Sequence, residues 1–148
     1  MLDVCFSPKY FAHTHTNSME KLLAVGTALE QWQNIRIHEP ECIDAEILSQ
    51  VHDPVYVDAF MTGQPTKLAT FSGFKPWNTQ LRDAVLRINA GQLMAAEMAL
   101  QKGIAANVAQ GFHHAVYEYG GSFCTFNGLA LVAQQNPNKK IFVLDCDQ

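Results

Sequence analysis

Two adjacent histidines, His113 and His114, and two aspartates at alternate positions, Asp145 and Asp147, are the residues of this 148-residue chain best suited to do chemistry. Imidazoles exchange protons near neutral pH, so a tandem pair offers an acceptor and a donor together. In an extended chain Asp145 and Asp147 point the same way, and carboxylates beside imidazoles suit a hard or borderline divalent cation. Plainer readings stand beside these. A His-His pair is most often a surface-loop feature, and Asp-x-Asp occurs in ordinary loops as well as in metal and nucleotide-sugar sites. His13 and His15 read as members of a solvated polar loop. His52, before Asp53-Pro54, reads as a hydrogen-bonding residue at a helix end, and Cys124, between Phe123 and Phe126, as a small core residue.

Both chemical segments follow apolar runs that predict buried strands, Ile104 to Val108 and Ile141 to Leu144. In an open α/β sheet ligands bind beyond the carboxyl ends of the strands, which places both segments at one crevice. Further strands are expected at Leu2 to Phe6, ended by Pro8, and at Ile35 to Ile37. Ser18 suggests an N-cap for a helix carrying Leu22, Val25, Leu29 and Trp32, and Asp44 caps another with Ile47, Leu48 and Val51. Val55 to Met61 predicts a short helix, and Thr62 to Phe74, with Gly63, Pro65 and Gly73, the one long loop. The strongest signal is a helix capped by Asn78, lined by Leu81, Val85, Ile88, Leu93 and Leu100, and ended at Lys102-Gly103. A last helix follows Asn127, and Asn136-Pro137-Asn138 turns the chain. Alternating strands and helices give an α/β architecture with a largely parallel sheet.

Composition narrows the function classes. With 48% hydrophobic and 16% charged residues the chain can build one core, and no linker or repeat divides it. A net charge of −4 disfavours wrapping a phosphate backbone, and mildly favours a cationic substrate; no nucleic-acid partner is expected. No apolar run approaches the roughly 20 residues that span a bilayer, and no membrane partner is expected. Met1 to Phe6 has no basic region and no long apolar segment, unlike a secretory signal. Cys5, Cys42, Cys124 and Cys146 show no CxxC spacing. Disulfides among them are possible in principle, but a reduced, cytoplasmic chain is the expectation.

Taken together the segments are far more specific. Phe112-His113-His114-Ala115, Gly120-Gly121-Ser122-Phe123-Cys124, Asn127 and Val143-Leu144-Asp145-Cys146-Asp147 resemble, in order and spacing, the histone deacetylase superfamily, which includes acetylpolyamine amidohydrolases. Val51 to Val57 resembles the family's VHxPxYV segment. Phe74-Lys75-Pro76-Trp77 and the long helix with Gly91 and Ala-rich Met94 to Ala99 resemble a bacterial branch near the class IV deacetylases. The resemblance implies an arginase/deacetylase-type parallel sheet flanked by helices and a zinc-dependent amidohydrolase that removes an acyl group, typically acetyl, from lysine or a polyamine. It implies that His113 and His114 act on zinc-bound water and the scissile amide, one as general base and the other as proton donor or stabiliser. It makes Asp147 the first zinc-ligating aspartate. Asp145 would support the histidines and a monovalent-cation site, and Phe123 would line the tunnel for the acyl-lysine side chain. Zinc lowers the pKa of its bound water to roughly 7, and a carboxylate behind an imidazole fixes its tautomer.

There are departures. The family's DxDxHxGxG motif is present only through Gln148, one residue before its zinc-binding histidine. The second zinc aspartate and a carbonyl-polarising tyrosine belong to the family's C-terminal half. His15-Thr16-Asn17-Ser18 stands where relatives often have HP. Residues 1–148 therefore read as the N-terminal part of one deacetylase-like domain, incomplete without the C-terminal half and not expected to hold zinc tightly or to turn over alone. Strands of that half would lie between those ending at Val108 and Leu144, so association with another copy or a complementing piece is expected. The alternative is a non-catalytic, truncated gene product acting as an interaction or oligomerisation module. An arginase-like ureohydrolase shares the general fold, but the tandem histidines with Phe123-Cys124 fit the deacetylases better.

Overall fold

The computed structural model describes residues 1–146. Three parallel strands form its sheet: β1 (Leu2–Cys5) at the centre, β2 (Ile35–His38) on one side and β3 (Ala105–Asn107) on the other. The register pairs Val4 with Ile37 and with Ala106. Parallel neighbours need long crossovers, and the helices supply them. The 3-10 turn Pro8–Tyr10 and α1 (Lys21–Leu29) link β1 to β2. The connection from β2 to β3 carries α2 (Ala45–Leu48), α3 (Pro54–Thr62), α4 (Thr66–Ala69) and α5 (Thr79–Lys102); α6 (Gly128–Gln135) follows β3. The expected α/β class with a parallel sheet and flanking helices is the class observed.

Local chemistry explains most boundaries. The Asn78 side chain accepts the Leu81 N–H at 2.8 Å to start α5, and Gly103, with φ of 91°, ends it. Asp53 accepts the Val55 N–H at 2.8 Å, Pro54 occupies the first turn of α3, and Gly63 closes it with φ of 78°. Leu81, Val85 and Ile88 turn the inner face of α5 into a core shared with Phe6, Tyr10, Met19, Phe60, Phe74, Phe112, Phe126 and Leu131. Gly91 faces the same way for a steric reason. A Cβ there would meet the Tyr10 hydroxyl and approach Asn107 Oδ1 to 2.6 Å, and those two atoms share a 2.8 Å hydrogen bond.

Charge is buried once in the central strand. Asp3 accepts from Lys102 Nζ at 2.9 Å and lies 2.6 Å from His38 Nε2, tying α5 and β2 to β1. The Lys102 bond first, and then the His38 bond, hold its carboxyl down at about 2.

Five expectations need correction. Ile141 to Leu144 is not a buried strand: it has no regular structure, and Phe142 and Leu144 are 87% and 76% exposed. A strand is stabilised by ladder partners, and none reaches this segment among the described residues. The Ile104 to Val108 strand is shorter and half-buried, with Ile104 itself exposed, because β3 has a strand on one side only among the described residues. The loop from Thr62 to Phe74 contains the helical turn α4. Ser18 does not cap α1, which begins at Lys21 after Glu20; its carbonyl accepts the Gln110 side chain instead, at 3.1 Å. Trp32 falls beyond α1 and is exposed.

Candidate active site

The loop leaving β3 carries the tandem histidines, and it is held by its carbonyls. The Val108 N–H bonds Cys5 O at 3.0 Å, extending the ladder by one residue. Beyond it the Gly111 carbonyl accepts the Gly128 N–H at 3.1 Å, and the Phe112 carbonyl the Ala115 N–H at 3.2 Å. The Asn127 side-chain amide donates to His113 O and Ala115 O at 3.2 and 3.1 Å. His52 Nδ1 donates to Val116 O at 2.8 Å. The N-terminus of α6 and one buried histidine thus determine the path of residues 111–116. That path includes a left-handed residue, Phe112 at φ 56°, immediately before His113. Ser122 and Phe123, at 49° and 61°, are left-handed too. Non-glycine residues seldom adopt this region, and such strain concentrates where geometry serves a site.

Between these two strained segments lies a pocket of about 330 Å³ lined by Ser18, Lys21, Gln110, Gly111, Phe112, His113, Ser122, Phe123 and Cys124. His113 is largely covered and its Nδ1 stands 3.1 Å from Asp145 Oδ2. A carboxylate at Nδ1 favours the tautomer with the proton on Nδ1, leaving Nε2 as the acceptor. The His114 ring stands edge-on to that of His113, centroids 4.0 Å apart at 84°, on the exposed side. Phe123 is half-exposed at the pocket wall, its ring 5.6 Å from Phe74 and 6.1 Å from His15. Its N–H bonds Ser72 O at 2.7 Å, and Gly73, at φ 102°, leaves room for its ring; a Cβ there would come within 3.2 Å.

Four of the five residues singled out from sequence therefore gather here: His113, His114, Asp145 and Phe123. Asp147, the expected zinc ligand, lies outside the described residues. His13 is exposed, 3.5 Å from Glu20, and His15 is exposed beside Phe123. His52 is 1% exposed and is a hydrogen-bonding residue between two helices, as expected; its partners are Val116 O on the histidine loop and the N–H of Asn127, at the start of α6. Burial holds its pKa below the ordinary histidine value. Cys124 is buried as expected but also lines the pocket, and none of the four cysteines is in a disulfide. Gln110, at the head of the segment that follows Val108, also lines the pocket. Lys21 in its wall went unnoticed in the sequence, because as the first residue of α1 it carries no local signal of a pocket.

Among the described residues no three His, Cys, Asp or Glu side chains gather closely enough to hold a metal ion. Zinc in a catalytic site takes three protein ligands, so the described residues do not close such a site by themselves. What they supply is a carboxylate-backed imidazole with a second imidazole at its edge, groups chemically able to exchange protons, beside a pocket with an aromatic wall. No helix among the described residues is long and apolar enough to cross a membrane.

Comparison with known proteins places the chain in a family. Residues 13–148 match the histone deacetylase domain. An uncharacterized protein of Picosynechococcus sp. (strain ATCC 27264 / PCC 7002 / PR-6) is 33% identical over 116 residues, covering 76% of this chain and 39% of that protein. Histone deacetylase 2 of Arabidopsis thaliana is 44% identical over 41 residues, 28% of this chain and 11% of that protein. The chain thus spans well under half the length of these relatives. With the family match extending over nine-tenths of the sequence, and the tandem histidines within it, the chain belongs to the histone deacetylase domain family.

Proposed function

We propose that this chain forms the N-terminal part of a zinc-dependent amidohydrolase that removes an acyl group, acetyl in the simplest case, from the amine of lysine or a polyamine. The observation that carries the reading is the His113–Asp145 contact of 3.1 Å at a pocket walled by Phe123. Asp145 holds the His113 proton on Nδ1, so that Nε2 can accept one from an attacking water. His114, its ring centroid 4.0 Å from that of His113, would return a proton to the leaving amine or stabilise charge there. Phe123 excludes water from one side of an alkyl chain. Zinc, when bound, would polarise the amide and acidify the water; Asp147 would be a ligand from this chain, and the remaining ligands would be supplied by the C-terminal part of the domain. The net charge of −4 suits an amine substrate, and a cytoplasmic location accords with the thiol-bearing composition.

Zinc titration by calorimetry tests the reading, with a His113→Ala/Asp147→Ala variant as control and a fluorogenic acetyl-lysine assay alongside. Weak binding without turnover by this chain, and zinc-dependent turnover when the C-terminal part of the domain is supplied, is the expected result. Turnover that is unaffected by the double substitution would refute it.

A second reading draws on Ile141 to Leu144, whose apolar side chains lie exposed. In it the chain is an interaction or oligomerisation module, and a second copy or a complementing segment covers that run. Light scattering decides: a clean monomer across concentrations rejects self-association.

A further inference from the structure

His52 lies under the histidine loop and is used by nothing in the proton-transfer scheme. Its ring is 1% exposed, edge-on to Tyr56 at 5.9 Å and tilted against Phe126 at 5.2 Å. The Asn127 backbone N–H donates to its Nε2 at 2.9 Å. An atom that accepts cannot also carry the proton, so the proton is on Nδ1, where it bonds Val116 O at 2.8 Å. The ring therefore spans two points of the site. One arm takes the far end of the loop, and the other takes the residue whose side chain holds His113 O and Ala115 O and whose Oδ1 caps α6 at 3.1 Å.

We infer that His52 is a positioning residue: as a neutral Nδ1–H tautomer it fixes Asn127, and through Asn127 it sets the position of His113. This rests on the reading of His113 as the proton-carrying group, but the geometry can be tested without turnover. Space-filling alone would need no particular tautomer and no acceptor. The positioning role needs both, and it needs the Nε2 arm more than the Nδ1 arm, because the former leads to Asn127, which bonds His113 O itself, whereas the latter meets the loop three residues further on.

The experiment is NMR on the 15N-labelled chain and on two variants. In His52→Gln the amide reaches the place of Nε2 and can still accept from Asn127; in His52→Asn it reaches only the place of Nδ1. In the wild-type chain, two-bond couplings at pH 7.5 are expected to show His52 Nε2 unprotonated. A proton on Nε2, or a charged ring, overturns the inference outright, without any variant. In His52→Asn the Asn127 amide should lose protection from exchange by roughly tenfold, the worth of one hydrogen bond at the upper end of its usual range, and the His113 ring signals should move. In His52→Gln both should stay near their wild-type values. Equal shifts in the two variants, or none in either, would reduce His52 to packing. If the shifts divide as expected while no acetyl-lysine turnover is found under any condition, the positioning stands and the proposed function fails.

Discussion

Gly91→Ala sets two opposing effects against each other at a place where the structure says which should win. In an ordinary exposed helix interior the change stabilises by about 1 kcal/mol, because glycine loses more backbone freedom than alanine. Here the new Cβ would meet the Tyr10 hydroxyl and come within 2.6 Å of Asn107 Oδ1, in the middle of α5. Tyr10 is fully buried, and its 2.8 Å bond to Asn107 Oδ1 occupies the space the methyl group would enter. Overpacking a well-filled core costs about 1–3 kcal/mol, and separating a buried hydrogen-bonded pair costs about 1–3 more. The net expectation is destabilisation by roughly 1–5 kcal/mol, despite the gain in helix propensity. Urea unfolding followed by tryptophan fluorescence and circular dichroism measures it. The companion variant Tyr10→Phe removes the atom nearest the new methyl group, so in the double variant the alanine should be better tolerated, with a coupling of about 1 kcal/mol or more. A neutral or stabilising Gly91→Ala, or strict additivity with Tyr10→Phe, would refute the packing argument and with it the close approach of α5 to the Pro8–Tyr10 turn.

Three further outcomes follow from the same structure. His52 has its pKa lowered by burial, so between its ordinary value near 6.5 and its folded value the unfolded chain binds more protons; stability present above pH 6.5 should be lost as pH falls, and His52→Gln should flatten that dependence in urea midpoints taken at pH 7.5 and 5.5. Asp3, held at about 2 against an ordinary 3.8, behaves with the same sign in a lower window: the gap in stability between wild type and Asp3→Asn should be full above pH 4 and close as pH falls from 3.8 toward 2. Asn127→Ala should cost about 1–2 kcal/mol for the α6 cap alone and more if the released His113 and Ala115 carbonyls stay buried, whereas Asn127→Ser should recover the cap but not the carbonyl contacts; thermal melts of the three proteins separate the two contributions.

Features set by a few neighbouring residues were legible before any coordinates. Asn78 and Gly103 delimit α5, Asn127 starts α6, a short helix spans Val55 to Met61, and the short apolar runs at Leu2 and Ile35 form strands as expected, because caps, turns and apolar periodicity act within one or two turns of chain. The rule that strand ends share a crevice put Asp145 and the histidine loop on the same side, and the family resemblance implied that Asp145 supports the histidines; the two are in contact, although the Ile141 to Leu144 strand meant to deliver Asp145 did not form. A strand depends on a partner far away in sequence, and an apolar tetrapeptide carries no record of whether that partner is at hand. For the same reason the sequence named His113 and His114 but not what holds them. The role of His52 emerges from bonds across 64 and 75 positions of chain, and that of Lys21 from a pocket shared with residues about ninety positions away. On its own the sequence determined the identity of the reactive groups and the helices that carry the framework. Only the tertiary structure decided which nitrogen of a buried histidine bears its proton, since that depends on where other segments bring their donors and acceptors.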